Sequence, residues 1–150
     1  MTRHITDHGL RIIKAFEGLS LEPYKCIAGV WTIGYGHTGD LVTEDTPKIT
    51  EQQAEDLLRH DVEKFEKAVL RLITRPLNDN QFDALVSFTF NIGAGNLQSS
   101  TLRAKCNRRE DELVPAEFMK WNKARINGIL QVSSGLTRRR AAESGLYNLK

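Results

Sequence analysis

Three segments of unlike periodicity follow one another within residues 1–72, and no single kind of regular structure can absorb all three. From Asp7 to Glu17, Leu10, Ile13 and Phe16 fall on one stripe with Ile12 beside it, the spacing of a half-buried helix. Thr6 or Asp7 can cap that helix, and Gly18 stands where a left-handed residue would end it. From Leu19 to about Thr43 the strand formers Val30, Thr32, Ile33 and Tyr35 are interrupted by Gly29, Gly34 and Gly36. That mixture predicts short antiparallel hairpins. Thr50-Glu51-Gln52-Gln53 then reads as a capping box that opens a long helix through about Leu72. Ala54, Leu57, Leu58, Phe65, Ala68, Val69 and Leu72 are its predicted buried face.

Beyond Pro76 and Asn78 the pattern is helical again. A helix is predicted from about Asn80 to Asn91, with Phe82, Leu85, Val86 and Thr89 inward. Gly93-Ala94-Gly95-Asn96 reads as a turn, and Ser99 as the cap of a short helix to about Asn107. Helices near Glu112–Trp121 and Gly135–Leu149 enclose an expected loop over Asn122–Ser134. The fold class is therefore α+β and mostly helical, in one domain of 150 residues. A small β-containing lobe is expected over about residues 18–60, and a helical lobe over about 61–150 that also takes the N-terminal helix. Two lobes joined by one long helix predict a cleft of the kind that admits an extended polymer.

Charge is spread unevenly along the chain. Residues 1–100 carry 10 Lys/Arg against 14 Asp/Glu, and residues 101–150 carry 11 against 5. The basic last third suits an anionic polymer, or is simply an uneven soluble surface. No apolar run of about 18 residues is present, and the N-terminus lacks the apolar core of a secretory signal, so synthesis in a cytoplasm is expected. Cys26 and Cys106 are too few for a disulfide framework and are expected as reduced thiols. His4, His8, His37 and His60 are scattered, with no metal-ligand spacing, so neither metal nor cofactor is expected. Without a helix-turn-helix or zinc motif, nucleic acid is not the expected partner. A monomer is expected.

Glu17 draws attention as a carboxyl at the negative end of a helix dipole beside Phe16, Leu19 and Leu21. Both surroundings disfavour its charged form and favour a proton donor. Taken alone it also reads as an ordinary surface acid, Cys26 as a buried structural thiol and Thr32 as a strand threonine. The order Glu17, Cys26, Thr32, followed by Thr32-Ile33-Gly34-Tyr35-Gly36-His37, resembles the signature of the phage-type lysozymes, glycoside hydrolase family 24. In that family a Glu is followed nine residues on by an Asp and six further by a Thr. Here Cys26 occupies the Asp position.

The resemblance implies a lysozyme-like two-lobed fold and catalysis by Glu17, Cys26 and Thr32, with the Thr32 hydroxyl placing a water below the sugar ring. It implies that His37 pairs with Asp61 as structural support for the sheet. Phe88-Thr89-Phe90-Asn91-Ile92-Gly93 resembles a segment that contributes a polar side chain, here Asn91, to the cleft, and Trp121-Asn122 matches another cleft region more loosely. Gly135-Leu136-Thr137-Arg138-Arg139-Arg140-Ala141-Ala142-Glu143 resembles the family's Gly-Leu-x-x-Arg-Arg-x-x-Glu motif. Arg139, ahead of Arg138 and Arg140, is the arginine expected to reach Glu17, where its charge would oppose the upward push on the carboxyl.

The implied activity is that of an endolysin. It would hydrolyse the β-1,4 bond between N-acetylmuramic acid and N-acetylglucosamine in peptidoglycan, and it would depend on a holin to pass from the host cytoplasm to the wall. Two other classes compete. A thiol peptidase could use Cys26 and His37, although no third orienting residue accompanies them. A non-catalytic wall-binding or nucleic-acid-binding module would rest on the basic last third and on Cys26 standing in place of the Asp.

Overall fold

The computed structural model describes residues 2–149. The chain forms two compact units, one of Met1–Ile12 with Phe65–Lys150 and the other of Ile13–Lys64. Helices α1 (Asp7–Glu17) and α2 (Glu51–Leu72) each begin in one unit and end in the other.

In the unit Ile13–Lys64, β1 (Ser20–Lys25) pairs antiparallel with β2 (Trp31–Gly34). Tyr24 faces Thr32 and Lys25 faces Trp31, but the register slips between Ser20 and Tyr24. Pro23 lies in the slipped segment and has no N–H to give to a ladder. Ile33 and His37 exchange backbone hydrogen bonds of 2.9 and 2.8 Å, closing a tight turn after β2. Thr50 and Gln53 form both halves of the expected capping box at the start of α2, at 3.1 and 2.8 Å. Gly34 has φ +69, and a Cβ there would lie 3.5 Å from the Ala54 Cβ, so the first turn of α2 lies directly against the end of β2. Ile13, Ile33, Val42, Ala54, Leu58 and Val62 are the buried apolar residues of this unit. Leu57 is only half-buried.

The other unit is built on α3 (Asp79–Ile92), which is buried from Gln81 through Thr89. Asn78 caps it with a complete capping box. The unit continues with α4 (Ala94–Ser99), α5 (Thr101–Asn107), α6 (Val114–Met119), β3 (Lys123–Ile126), β4 (Ile129–Val132) and α7 (Ser134–Asn148), of which α4 and α7 pack on α3. Phe88 meets Phe118 edge to face at 5.0 Å, and Phe118 meets Tyr147 at 5.8 Å, so the aromatic core joins α3, α6 and α7. Two buried carboxylates receive the chain ahead of α1. Glu66 accepts from the Ile5 amide at 2.6 Å, and Asp83 accepts from the Thr6 amide at 2.9 Å and from the Thr6 hydroxyl. They satisfy backbone donors next to a helix start, where negative charge is favoured. Glu66, although polar, is therefore buried on α2, which its apolar pattern did not predict.

Three local expectations are corrected. Gly93-Ala94-Gly95-Asn96 is not only a turn: Gly93, at φ +95, ends α3, and Ala94–Ser99 then coils into α4 to bury Leu97 completely. Ser100, not Ser99, caps α5, accepting from the Arg103 amide at 3.0 Å. The segment Asn122–Ser134 is not a loop but contains the β3–β4 hairpin, turned at Asn127 and Gly128 with φ +53 and +79. Those positive values belong to the turn favoured by an Asn-Gly pair, a local signal that was present in the sequence.

Gly9 lies where α1 passes Asp83. A Cβ on it would sit 2.5 Å from the Asp83 Cγ and 2.7 Å from the Ile5 Cγ1. Gly9→Ala is expected to destabilise the fold by about 1–3 kcal/mol through overpacking, despite the better helix propensity of alanine. Urea unfolding followed by circular dichroism checks this, and an unchanged or raised midpoint would refute it.

Candidate active site

The first group of residues lies wholly in the unit Ile13–Lys64. Glu17 is the last residue of α1, half-buried, and Gly18 ends the helix with φ +75 while its amide bonds the Lys14 carbonyl at 3.0 Å. The Glu17 carboxyl lies against the turn after β2. A Cβ on Gly36, whose φ is +87, would stand 3.4 Å from Glu17 Oε1. Glycine at 36 thus serves both the left-handed backbone and the close approach of the acid. Lys14, one turn earlier, pairs with Glu55 and stands 5.6 Å over the Tyr35 ring. The Lys14 ammonium holds the Glu55 carboxyl below its ordinary range, against the opposing effect of burial and with lesser help from Arg59.

Cys26 opens the turn between β1 and β2. Its amide bonds the Val30 carbonyl at 3.0 Å, and its carbonyl accepts from Gly29 at 2.8 Å. The Val30 and Ala28 backbone groups hydrogen-bond to the sulfur and hold the thiol below its ordinary value, with a smaller contribution from the Thr32 side chain. A pocket of oriented amides stabilises an anion of almost any chemistry, thiolate or carboxylate. Thr32, 3% exposed, donates its hydroxyl proton to the Val30 carbonyl at 2.9 Å. Cys26 and Thr32 therefore share one turn and one carbonyl. His37 Nδ1 lies 2.8 Å from Asp61 Oδ2, so these two residues are brought together as well.

A second group lies in the other unit. Asn91, in the last turn of α3, is exposed, and its Oδ1 accepts from Arg140 Nη2 at 2.8 Å. Arg140 Nη1 reaches the Trp121 carbonyl at 3.4 Å, and its guanidinium lies 5.0 Å over the Phe88 ring, against which Trp121 packs edge-on at 6.0 Å. Arg139 donates Nε to Glu143 Oε2 at 3.2 Å and Nη2 to the Ser87 carbonyl at 3.2 Å. The Ser87 hydroxyl donates to the same Glu143 oxygen at 2.6 Å, and Arg140 Nε stands 2.8 Å from Glu143 Oε1 as an ion pair poorly aligned for a hydrogen bond. Burial acts most strongly on the Glu143 carboxyl and pushes it upward, opposed by the two guanidiniums and the Ser87 hydroxyl.

Asn91 and Trp121 are joined by Arg140, which the sequence reading placed behind Arg139, while Ser87 and Glu143 fix Arg139 from beneath. The i to i+4 spacing of Ser87 with Asn91 and of Arg139 with Glu143 was the available signal.

The family model described as phage lysozyme matches residues 14–143, which takes in every residue of both groups. This chain belongs to the phage lysozyme family. It is 45% identical over 144 residues to the endolysin of Acyrthosiphon pisum secondary endosymbiont phage 1, covering 96% of this chain and 97% of that relative. Two further endolysin relatives are longer, and the chain spans 55% and 54% of their length. The solved endolysin from Escherichia coli O157:H7 phage FAHEc1 is similar at a TM-score of 0.91 and 40% identity, covering 99% of this chain and 95% of that one. The muramidase domain of SpmX from Asticaccaulis excentricus is similar at 0.89 and 38%, covering 99% and 100%. Family membership makes the chain a glycoside hydrolase of the lysozyme type.

Both cysteines are free thiols, Cys26 half-buried and Cys106 wholly buried with its thiol pushed up by burial. Iodoacetamide at neutral pH is therefore expected to modify Cys26 faster than an ordinary peptide thiol and to spare Cys106 until the protein unfolds. Peptide mass spectrometry over a labelling time course reads this, and equal or reversed labelling would contradict the local geometry.

Proposed function

We propose that the chain is an endolysin of the muramidase type, acting as a monomer on the β-1,4 bond between N-acetylmuramic acid and N-acetylglucosamine. The observation that carries this reading is the acid at the end of α1, held against Gly36 in the same compact unit as the Cys26–Thr32 turn. The 45% identity to a phage endolysin over nearly the whole chain supports it independently.

In this mechanism Glu17 gives its proton to the leaving glycosidic oxygen. A water held by Thr32 and Cys26 attacks the anomeric carbon from the opposite face of the ring, and Cys26, in its thiolate form, takes the water's proton. The product then carries the inverted configuration. Direct attack by sulfur is the competing route: it would form a thioglycosyl bond, release the leaving sugar and give retention after hydrolysis. The Thr32 hydroxyl suits its part because it can give its one proton to the Val30 carbonyl and still accept from water. Asn91, Trp121 and Arg139 bind the glycan, and the His37–Asp61 pair stiffens the turn beside Glu17.

Glu17→Gln is expected to lower the release of new reducing ends from purified cell walls by about 10²–10⁴-fold, while Cys26→Asp keeps or raises it. NMR of the freshly released anomer in the same digests is expected to show inversion. Activity untouched in Glu17→Gln, or new amines without new reducing ends, would defeat the reading.

No helix among the described residues is long and apolar enough to cross a membrane. On the proposed reading the enzyme gathers in the host cytoplasm and reaches the wall through a pore made by a holin. Expression alone in a bacterium should leave cells intact until the membrane is permeabilised. Prompt lysis without a pore-forming partner would exclude that route.

A further inference from the structure

The hairpin β3–β4 is the most exposed apolar feature of its unit. Ile126, Ile129, Leu130 and Val132 are 42%, 63%, 58% and 61% exposed, well beyond what an ordinary strand pair leaves to water. The register puts them on both sides of the ribbon. Lys123 opposes Val132 and Arg125 opposes Leu130 on one face, whereas Ala124 opposes Gln131 and Ile126 opposes Ile129 on the other. Asn127 and Gly128 close the tip with positive φ, and Arg125 Nη1 fastens the turn by bonding the Gly128 carbonyl at 3.3 Å. The tip is thus a fixed wedge with aliphatic side chains on both faces, one of which also carries Arg125 opposite Leu130 and Lys123 opposite Val132.

The charged residues in the stretch of chain that holds the hairpin are all basic. Residues 118–142 contain Lys120, Lys123, Arg125, Arg138, Arg139 and Arg140 and no carboxylate side chain. Arg139 and Arg140 are buried against Glu143, but Lys123 and Arg125 are exposed on the hairpin itself. A glycan would be met by a one-sided surface bearing an aromatic ring or hydrogen-bonding groups. This ribbon has no aromatic residue, and aliphatic side chains stand on both of its faces, sharing one of them with Lys123 and Arg125. Aliphatic residues on both faces suit a medium that surrounds the tip.

We propose that the β3–β4 hairpin is a peripheral membrane anchor that inserts Ile126, Ile129 and Leu130 into the interfacial region of an anionic lipid bilayer, with Lys123 and Arg125 at the headgroups. Apolar insertion and headgroup attraction each give modest affinity, and together they make reversible attachment of a protein that has no spanning helix among its described residues. The property is separate from glycan hydrolysis, because no hairpin residue belongs to either group of proposed site residues.

Flotation of the full chain with vesicles of equal parts phosphatidylglycerol and phosphatidylethanolamine is expected to show binding, with little on pure phosphatidylcholine. Ile129→Ser with Leu130→Ser should weaken binding by about tenfold or more, given the apolar surface removed. Lys123→Gln with Arg125→Gln should weaken it by about fivefold per charge at low salt, and less as salt is raised. Ile129→Trp should shift its fluorescence to the blue on mixing with the anionic vesicles. Release of reducing ends from purified walls should be unchanged in Ile129→Ser with Leu130→Ser, so loss of hydrolysis in Glu17→Gln and loss of lipid binding here are read separately. The proposal is overturned if the protein ignores anionic vesicles, if these variants bind them as well as the parent, or if they instead lose binding to purified peptidoglycan while vesicle binding stays the same.

Discussion

A carboxylate with no exposure organises the larger unit. Glu143 stands at the contact of α7 with α3 and receives the Ser87 hydroxyl and two guanidiniums, themselves 3% and 0% exposed. Three charges taken out of water are tolerable only as a set, because removing one leaves the others without compensation. The set dictates position as well as charge. Arg140, held at Glu143, reaches outward to Asn91 and the Trp121 carbonyl, and so fixes one exposed polar side chain and one aromatic on different elements. Arg139 is held by Ser87 and Glu143 in the same way. Sites of this construction get their precision from buried partners, not from the exposed groups themselves.

The smaller unit reaches a similar end with backbone. Its acid is placed by a helix terminus and by a glycine that leaves room for it, and its sulfur by the amides of a tight turn. Such dipoles are fixed by the covalent chain and need no reorganisation when charge develops. They also favour negative charge without regard to the atom that bears it. On the proposed reading this explains how a thiolate can occupy a place that a carboxylate would otherwise fill, though it brings a larger and more nucleophilic atom to the water.

The basic last third of the chain has two fates that composition cannot separate. Arg139 and Arg140 serve an internal carboxylate, while Lys123 and Arg125 flank a solvent-facing ribbon. The same run of charge therefore acts in one place as structural framework and in another as a surface of single sign.

Much of the local structure was legible because it is decided locally. The bounds of α1, the capping box at Thr50, the inward positions Phe82, Leu85, Val86 and Thr89 of α3 and the glycine-broken hairpin β1–β2 follow from periodicity, caps and dihedral preference, all contained within a few consecutive residues. The order Glu17, Cys26, Thr32 was equally visible because the three lie in one short stretch of chain. The hairpin β3–β4 was missed although Asn127-Gly128 announced it, since its strands lack the alternation that a covered face imposes. The helix α4 was missed because two glycines outweighed a single leucine whose burial depends on residues far along the chain. The sequence by itself determined the elements and the identity of the reactive groups. Only the tertiary structure decided which charges are buried together, that Arg140 links Asn91 to Trp121, and that Glu66 and Asp83 receive the start of α1. Such pairings join residues dozens of positions apart, and their energy comes from shared exclusion of water, which no local pattern encodes.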